Sequence, residues 1–533
     1  MTETAGPIGR SALVGFDGSE LPDEAGRLLD EHRISGVVLG PGSGGTPEEL
    51  LALTDAVQAR GGNEDLPRLV AASQRGGALT APGEGSTRFA GNLAIGAVGD
   101  PDLAYRVAAA IGRELRAVGV NVISAPVCDL ATSPDNPEPG IASFGEDPAE
   151  VSRLVAAAVR GFQGEGVAAA AEHFPGAGDA DPDLPGEPSI VPHGLGRLSE
   201  VELEPFRAAV QAGVSAVTVA NAAVPVVTGR ADLPSSLSRI VLGDLLREGL
   251  RYDGVVLAEL GDPGPLGDGS DRVVEAIAAL RAGVDLLLLP GEVASERRLL
   301  EALARANANE VFDRGELATS HARIAGLRRR LALRTAAGLD AVGCGEHRSL
   351  AEELAARSVT MVRNGAGLIP LRTDVGRIAV VTVAPPEDSV EGVDRGDLAS
   401  ALGSQRDRVE GFVTTNPPVG AEIADLRERL HDVDLIVVGT TDASRDPRQA
   451  ALVAALHEAG PPVLWVAVSG PWDLLVFPHA PTYVCTYGPG RSSLAALAGA
   501  ICGIAPFRGR LPVALGGLHP RGHGLSGDDP GVA

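Results

Sequence analysis

Lysine is absent: all 45 basic residues are arginine. A bias running through a whole chain reflects a GC-rich genome more simply than any chemistry. Aromatic residues are scarce at 3%, which argues against a groove stacking a long polysaccharide and favours a small or atypical ligand. Cysteine is scarce too, and Cys128, Cys344, Cys485 and Cys502 form no C-x-x-C pair or Cys/His cluster. That pattern excludes a zinc site or redox pair and points to a reducing, cytoplasmic setting. No apolar run reaches about 18 residues, so no membrane-spanning helix is expected. The opening MTETAGPIGRSALVGF has no basic region followed by a long apolar run, so no secretory signal is expected either. Positive charge is in deficit: 45 basic against 70 acidic residues leave a net charge of -25. Such a chain repels nucleic acid and anionic membrane surfaces, and nothing in it specifies a protein partner.

What is present is a globular composition, 44% apolar and 22% charged over 533 residues, long enough for two domains. Eight short apolar runs, at 12–16, 36–39, 69–72, 120–125, 167–171, 214–220, 255–258 and 284–289, alternate with helical stretches such as PDLAYRVAAAIGRELRAVG and GSDRVVEAIAALRAG. Continuously apolar strands alternating with helices predict a parallel (β/α)8 barrel of the TIM type, with a doubly wound open sheet as the alternative. The barrel is expected over residues 1–335, and a Gly-rich passage suggests a linker at 336–350. Further apolar runs at 377–383, 435–439, 462–468 and 482–486 predict a smaller α/β sandwich domain at 351–516, with a mobile Gly/Pro/Asp-rich tail at 517–533.

In such a barrel, functional side chains stand at the C-terminal ends of the strands. The residues following the runs are Ser73 and Gln74, Asp129, Glu172 and His173, Asn221, Glu259 and Pro290. Glu259 could serve as nucleophile or base, or could be no more than a helix cap or surface ion-pair partner. His173 could bind a ligand or hold a loop carbonyl. The aspartates 179, 181 and 183 have a metal-like spacing but lack the later Glu and ordered glycine of a calcium loop, so no metal or cofactor is expected.

Several motifs then align with one family. EHFPGAGD resembles the Lys-His-Phe-Pro-Gly-His-Gly-Asp signature of glycoside hydrolase family 3, in its β-N-acetylhexosaminidase branch. LVAASQRGGAL, NVISAPVCDL, IASFGEDP, LPSSLS and DGVVLAEL are similar, in order, to further barrel segments of that family. ARSVTMVRNGAGLIPL, the passage from GPPVLWVAVSGPWDL to VCTYGPG, and FRGRLPVAL resemble its C-terminal α/β domain. The resemblance implies a sugar or small glycoside-like ligand at the barrel mouth. For a retaining hydrolase it also implies a carboxylate nucleophile after strand seven and an Asp-x-His proton donor in the loop after strand five.

At those positions this chain departs from the pattern. Glu259 occupies the nucleophile position in AEL, where the family has Ser-Asp-Asp. The added methylene displaces the carboxylate by about 1 Å, which can cost roughly 100-fold in rate. Asp183-Leu184-Pro185 falls over Asp-x-His, and proline has no side-chain proton to give. His193 lies farther on, and its spacing does not promote it to the role. Ser73 stands for an Asp, Arg75 for a Glu, Ala142 for an Arg, Glu172 for a Lys and Asn221 for a His, whereas His173 is kept. The expectation is therefore a family 3 scaffold with its standard machinery substituted. It would bind a carbohydrate or metabolite through Glu172, His173, Ser73 and Asn221. The alternative is an active glycosidase using Glu259 and Asp183 in rearranged catalysis, and a purely structural protein would instead have a blocked mouth.

Overall fold

The structure, a computed structural model, describes residues 6–40, 43, 45–60, 66–73, 83, 85–136, 139–181, 188–261, 270–333, 337–384 and 396–526. Eight parallel strands close a barrel in sequence order: β1 (Ala12–Val14), β2 (Gly36–Leu39), β3 (Leu69–Ser73), β4 (Val122–Val127), β5 (Ala168–Phe174), β6 (Ala216–Val219), β7 (Val255–Glu259) and β8 (Leu286–Leu289). Pairing of β1 with β8, Leu13 opposite Leu288, completes the circle and excludes the open sheet. The strands are buried on both faces, which is why they read as unbroken apolar runs rather than alternating ones.

Helix starts are written locally. Thr46, Asp100 and Asp147 each precede a proline, and each side chain accepts a backbone N–H of the first turn of Pro47–Ala59, Pro101–Ala117 or Pro148–Gly164. Proline at the first helical position has no N–H to leave orphaned, and its φ already suits the helix. The barrel interior holds Leu13, Leu69, Ala71, Val122, Ala168, Ala170, Val255, Leu257 and Leu286, clustered with Ile324, Leu327 and Leu331 of the helix Arg314–Ala332. That helix closes the N-terminal end of the barrel. Its Arg328 donates to the carbonyls of Leu66 and Pro67 before β3, and His321 Nε2 lies 3.3 Å from Ser11 Oγ before β1. The C-terminal end is left for function.

A second, six-stranded sheet has the order β11-β10-β12-β13-β14-β9, where β9 is Thr360–Asn364, β10 Ile378–Val383, β11 Val409–Thr414, β12 Leu435–Thr440, β13 Val463–Ala467 and β14 Thr482–Cys485. Only the β14–β9 pairing is antiparallel among these. The sequence pattern revealed the four central strands and missed both edges. β11 is half solvated, with Val413 71% exposed, so it carries no apolar run. Residues 517–526 of the expected mobile tail are hydrogen-bonded to the core: Leu525 N donates to Met361 O at 2.7 Å, and His523 Nε2 lies 2.9 Å from Val362 O.

Contacts at the turn after β4 dock the second domain beside the barrel mouth. Glu146 N donates to Pro512 O and Ala514 N donates to Glu146 Oε2, so the GEDP turn of the first domain is gripped by the second. On the flank, His347 Nδ1 meets buried Glu114 at 2.7 Å, and Arg357 pairs with Asp100 at 2.8 Å. Among the described residues no helix is long and apolar enough to cross a membrane.

Candidate sugar site at the barrel mouth

The strand ends form one rim. Register pairs Ser73 with Ser124, Val127 with Glu172, Phe174 with Val219, Val219 with Ala258 and Glu259 with Leu288. Ser73 and Glu259 are the exposed last residues of β3 and β7, and Asn221 lies two residues beyond β6. Asn221 ties its strand end to the next. Its Nδ2 donates to Glu259 O at 3.2 Å, while its Oδ1 accepts Ser236 Oγ at 2.8 Å.

Glu172 and His173 lie inside β5 rather than after it, as the apolar run had suggested. Pairing continues past the last alanine because Cys128 N donates to Glu172 O and Ala220 N donates to Phe174 O. The Glu172–His173 and Phe174–Pro175 peptide bonds are both cis.

The organising group is Asp129, just past β4 and 1% exposed. Its Oδ2 accepts His173 Nδ1 at 2.7 Å and the His173 backbone N–H at 3.2 Å, and its Oδ1 accepts Ala177 N at 2.7 Å. A carboxylate facing Nδ1 fixes the proton on that nitrogen. Nε2 is then the ring's other face, 3.7 Å from Glu172 Oε2, and Glu172 is itself 1% exposed. Burial, with the Asp129 and Glu172 charges beside it, pushes the Cys128 thiol well above its usual range, which keeps it protonated and inert. Ser143 Oγ donates to Asp129 O at 2.7 Å, linking this hub to the domain-docking turn. Asp129 was visible in sequence as a strand-end residue, but nothing in its spacing marked it as the hub.

A second cluster follows β5. His193 Nε2 lies 2.9 Å from Asp179 Oδ2 and 3.6 Å from Glu202 Oε1, and Arg197 bridges the same two carboxylates at 3.0 and 3.2 Å. Burial, helped by the Arg197 charge, holds the His193 pKa below its ordinary value against the pull of Asp179. Burial raises Glu202 in turn. Asp179 and His193 are fourteen positions apart in sequence, and only the tertiary structure brings their side chains together. Asp183, Arg75 and Pro185 lie outside the described residues.

Behind Glu259, Arg272 Nη2 donates to Glu296 Oε1 at 2.7 Å and to Leu260 O at 3.2 Å, and Glu296 Oε1 also accepts Gly291 N. This buried pair clamps the ends of β7 and β8 together. Among the described residues no three His, Cys, Asp or Glu side chains come together as metal ligands.

Residues 12–330 match the family model described as "Glycosyl hydrolase family 3 N terminal domain". Beta-hexosaminidase A of Pseudoalteromonas piscicida is 28% identical, over 93% of this chain and 91% of that protein. The beta-N-acetylglucosaminidase/beta-glucosidase of Cellulomonas fimi is 29% identical, over 92% of this chain and 90% of the relative. Among solved structures, a family 3 beta-N-acetylglucosaminidase from Paenibacillus sp. superposes with a TM-score of 0.88 at 31% identity, covering 97% of this chain and 99% of that one. With a closed barrel, a second α/β domain and a family model matched across most of the barrel, this chain belongs to glycoside hydrolase family 3.

Proposed function

We propose that the barrel mouth binds a sugar or small glycoside-like ligand without the family's standard retaining hydrolysis, so that the protein is a carbohydrate or metabolite binding or regulatory protein of the cytoplasm. The observation that carries this reading is the hold of Asp129 on His173 and Ala177. The same carboxylate fixes the end of β5, where Glu172 and His173 lie, and the start of the loop that follows, at the end of the barrel where β3, β6 and β7 bring Ser73, Asn221 and Glu259. At the donor position stands Pro185, whose side chain has no proton to transfer. Free cysteines without disulfides suit a reducing compartment. The test is hydrolysis of aryl N-acetylglucosaminides and aryl glucosides beside a thermal-shift screen of sugars, on wild type and Glu259→Ala. No turnover is expected, with a sugar-dependent rise in Tm that Glu259→Ala diminishes. Turnover at ordinary glycosidase rates that Glu259→Gln abolishes would overturn the reading.

A second reading is favoured by one contact, the 2.9 Å approach of His193 to Asp179 in the segment after β5. Here Glu259 is nucleophile or base in a rearranged glycosidase, of β-N-acetylhexosaminidase or β-glucosidase type, and the proton comes from Asp183, Glu172 or this pair. A retaining route needs a second carboxyl about 5 Å from Glu259 and an inverting route roughly 6.5–9.5 Å. Loss of turnover in both Glu259→Gln and His193→Gln, with sugar binding kept, would select it.

A further inference from the structure

The barrel has a second concavity at the end opposite the mouth. A cavity of about 380 Å³ lies beside the entry to β8, between the helical segment Ile240–Gly249, the end of the helix Ser270–Ala282 and the start of Arg314–Ala332. That volume is within the range of small-ligand sites. Leu242, Leu280, Phe312 and Leu317 give it an apolar side. Its charged lining is four guanidiniums, Arg239, Arg247, Arg281 and Arg323, against three carboxylates, Asp285, Asp313 and Glu316. An excess of positive charge here contrasts with a chain of net charge -25.

The partners of these groups show which remain available. Arg247 is part of the wall, bonded to buried Asp285 at 2.7 Å and to the carbonyls of Tyr252 and Gly254. Asp313 is spent on its helix, accepting Gly315 N and Glu316 N, so the helix end itself offers no free N–H pair there. Arg239 reaches Glu316 and donates to Arg281 O, and Arg323 pairs with Asp253, which is 89% exposed. The Arg239–Glu316 pair faces solvent, is of small net worth and is readily exchanged for a ligand, whereas Arg323 is also held 3.6 Å from buried Asp285 and belongs to the wall. No hydrogen bond or ion pair occupies the Arg281 guanidinium among the described residues.

We infer that this cavity is a binding site, separate from the barrel mouth, for a small organic anion. Its phosphate or carboxylate would be held by Arg281 and Arg239, and its apolar body would lie against Leu280 and Phe312. Guanidinium forks match both anion types in paired, charge-assisted hydrogen bonds. The opposite wall needs an apolar body, which a bare inorganic ion lacks.

Calorimetric titration of the full chain with phenyl phosphate, benzoate and inorganic phosphate tests this. Saturable binding of phenyl phosphate or benzoate is expected, weakened about tenfold or more in Arg281→Ala and further in Arg239→Ala/Arg281→Ala, since each lost charged hydrogen bond has about that effect. Tighter phenyl phosphate identifies a phosphate ester, tighter benzoate a carboxylate, and either supports the site. Three results would overturn it: no saturable binding of either organic anion, affinity unchanged in both variants with their circular dichroism intact, or inorganic phosphate binding as tightly as phenyl phosphate.

Discussion

Replacing Asp129 tests whether one buried carboxylate builds the rim. Asp129→Ala removes the acceptor for His173 Nδ1, His173 N and Ala177 N at once. The charged contact to the ring contributes about 2 kcal/mol, and each stranded buried amide costs about 1 kcal/mol or more, so the expected loss is roughly 4 kcal/mol. Asp129→Asn keeps Oδ1 for Ala177 but turns an amide NH2 toward the His173 backbone N–H, donor against donor, for a loss of about 2 kcal/mol. In a chain of two domains global unfolding need not be two-state, so the sharper assay is local. Hydrogen exchange at peptides covering residues 172–180 is followed beside urea midpoints for wild type, Asn and Ala. Exchange there should accelerate on the order of 10-fold or more in Asn and about 100-fold or more in Ala, while peptides of β10 and β12 stay unchanged. If Ala leaves exchange around Ala177 at the wild-type rate, Asp129 is not the hub and the argument fails.

Acid stability should depend on His321, which burial, with Arg10 adding to it, pushes down to about 4. Because the unfolded chain takes up this proton near pH 6.5 and the folded one near 4, stability is whole above about 6.5 and falls as pH drops between the two, by on the order of 3 kcal/mol. Urea midpoints of wild type and His321→Gln should diverge below pH 6.5, with the variant less acid-sensitive; parallel curves would contradict this. Breaking the clamp behind Glu259 by Glu296→Gln or Arg272→Met should each cost roughly 3 kcal/mol or more, because a buried charge is stranded. The double Arg272→Met/Glu296→Gln should cost less than their sum, because removing both partners leaves no charge stranded, and among the described residues Arg272 Nε and Nη1 have no hydrogen-bond partner to lose. Gly36→Ala would place a Cβ 1.8 Å from Leu69 O in the paired strand β3, whereas Gly40→Ala meets nothing within 4 Å. The first should cost about 3 kcal/mol or abolish soluble expression and the second should be near neutral, read from thermal midpoints.

The sequence by itself determined eight parallel strands alternating with helices, because strands buried on both faces must be written as unbroken apolar runs, and it favoured the barrel; the β1–β8 pairing that closes it and excludes the open sheet was decided by the tertiary structure. The sequence also placed Ser73, Asn221 and Glu259 at the rim, since strand ends follow directly from run ends. Where pairing outlasted hydrophobicity the sequence was silent: β5 continues through Glu172 and His173 because hydrogen bonds from Cys128 and Ala220 extend it, and a charged pair gives no apolar signal. Edge strand β11 escaped because its half-solvated residues need not be apolar, and β9 because three of its five residues, Thr360, Arg363 and Asn364, are polar although the strand is largely buried.

Tertiary structure alone decided what the rim residues do to one another. Asp129 meets His173 across 44 positions, and Asp179 meets His193 across a loop whose spacing suggested nothing. The arginine-lined cavity at the barrel's far end gathers Arg239, Arg281 and Arg323 from three separate segments. Local preference fixes an element from its own residues. A site made of distant residues exists only once the core has brought their backbones together.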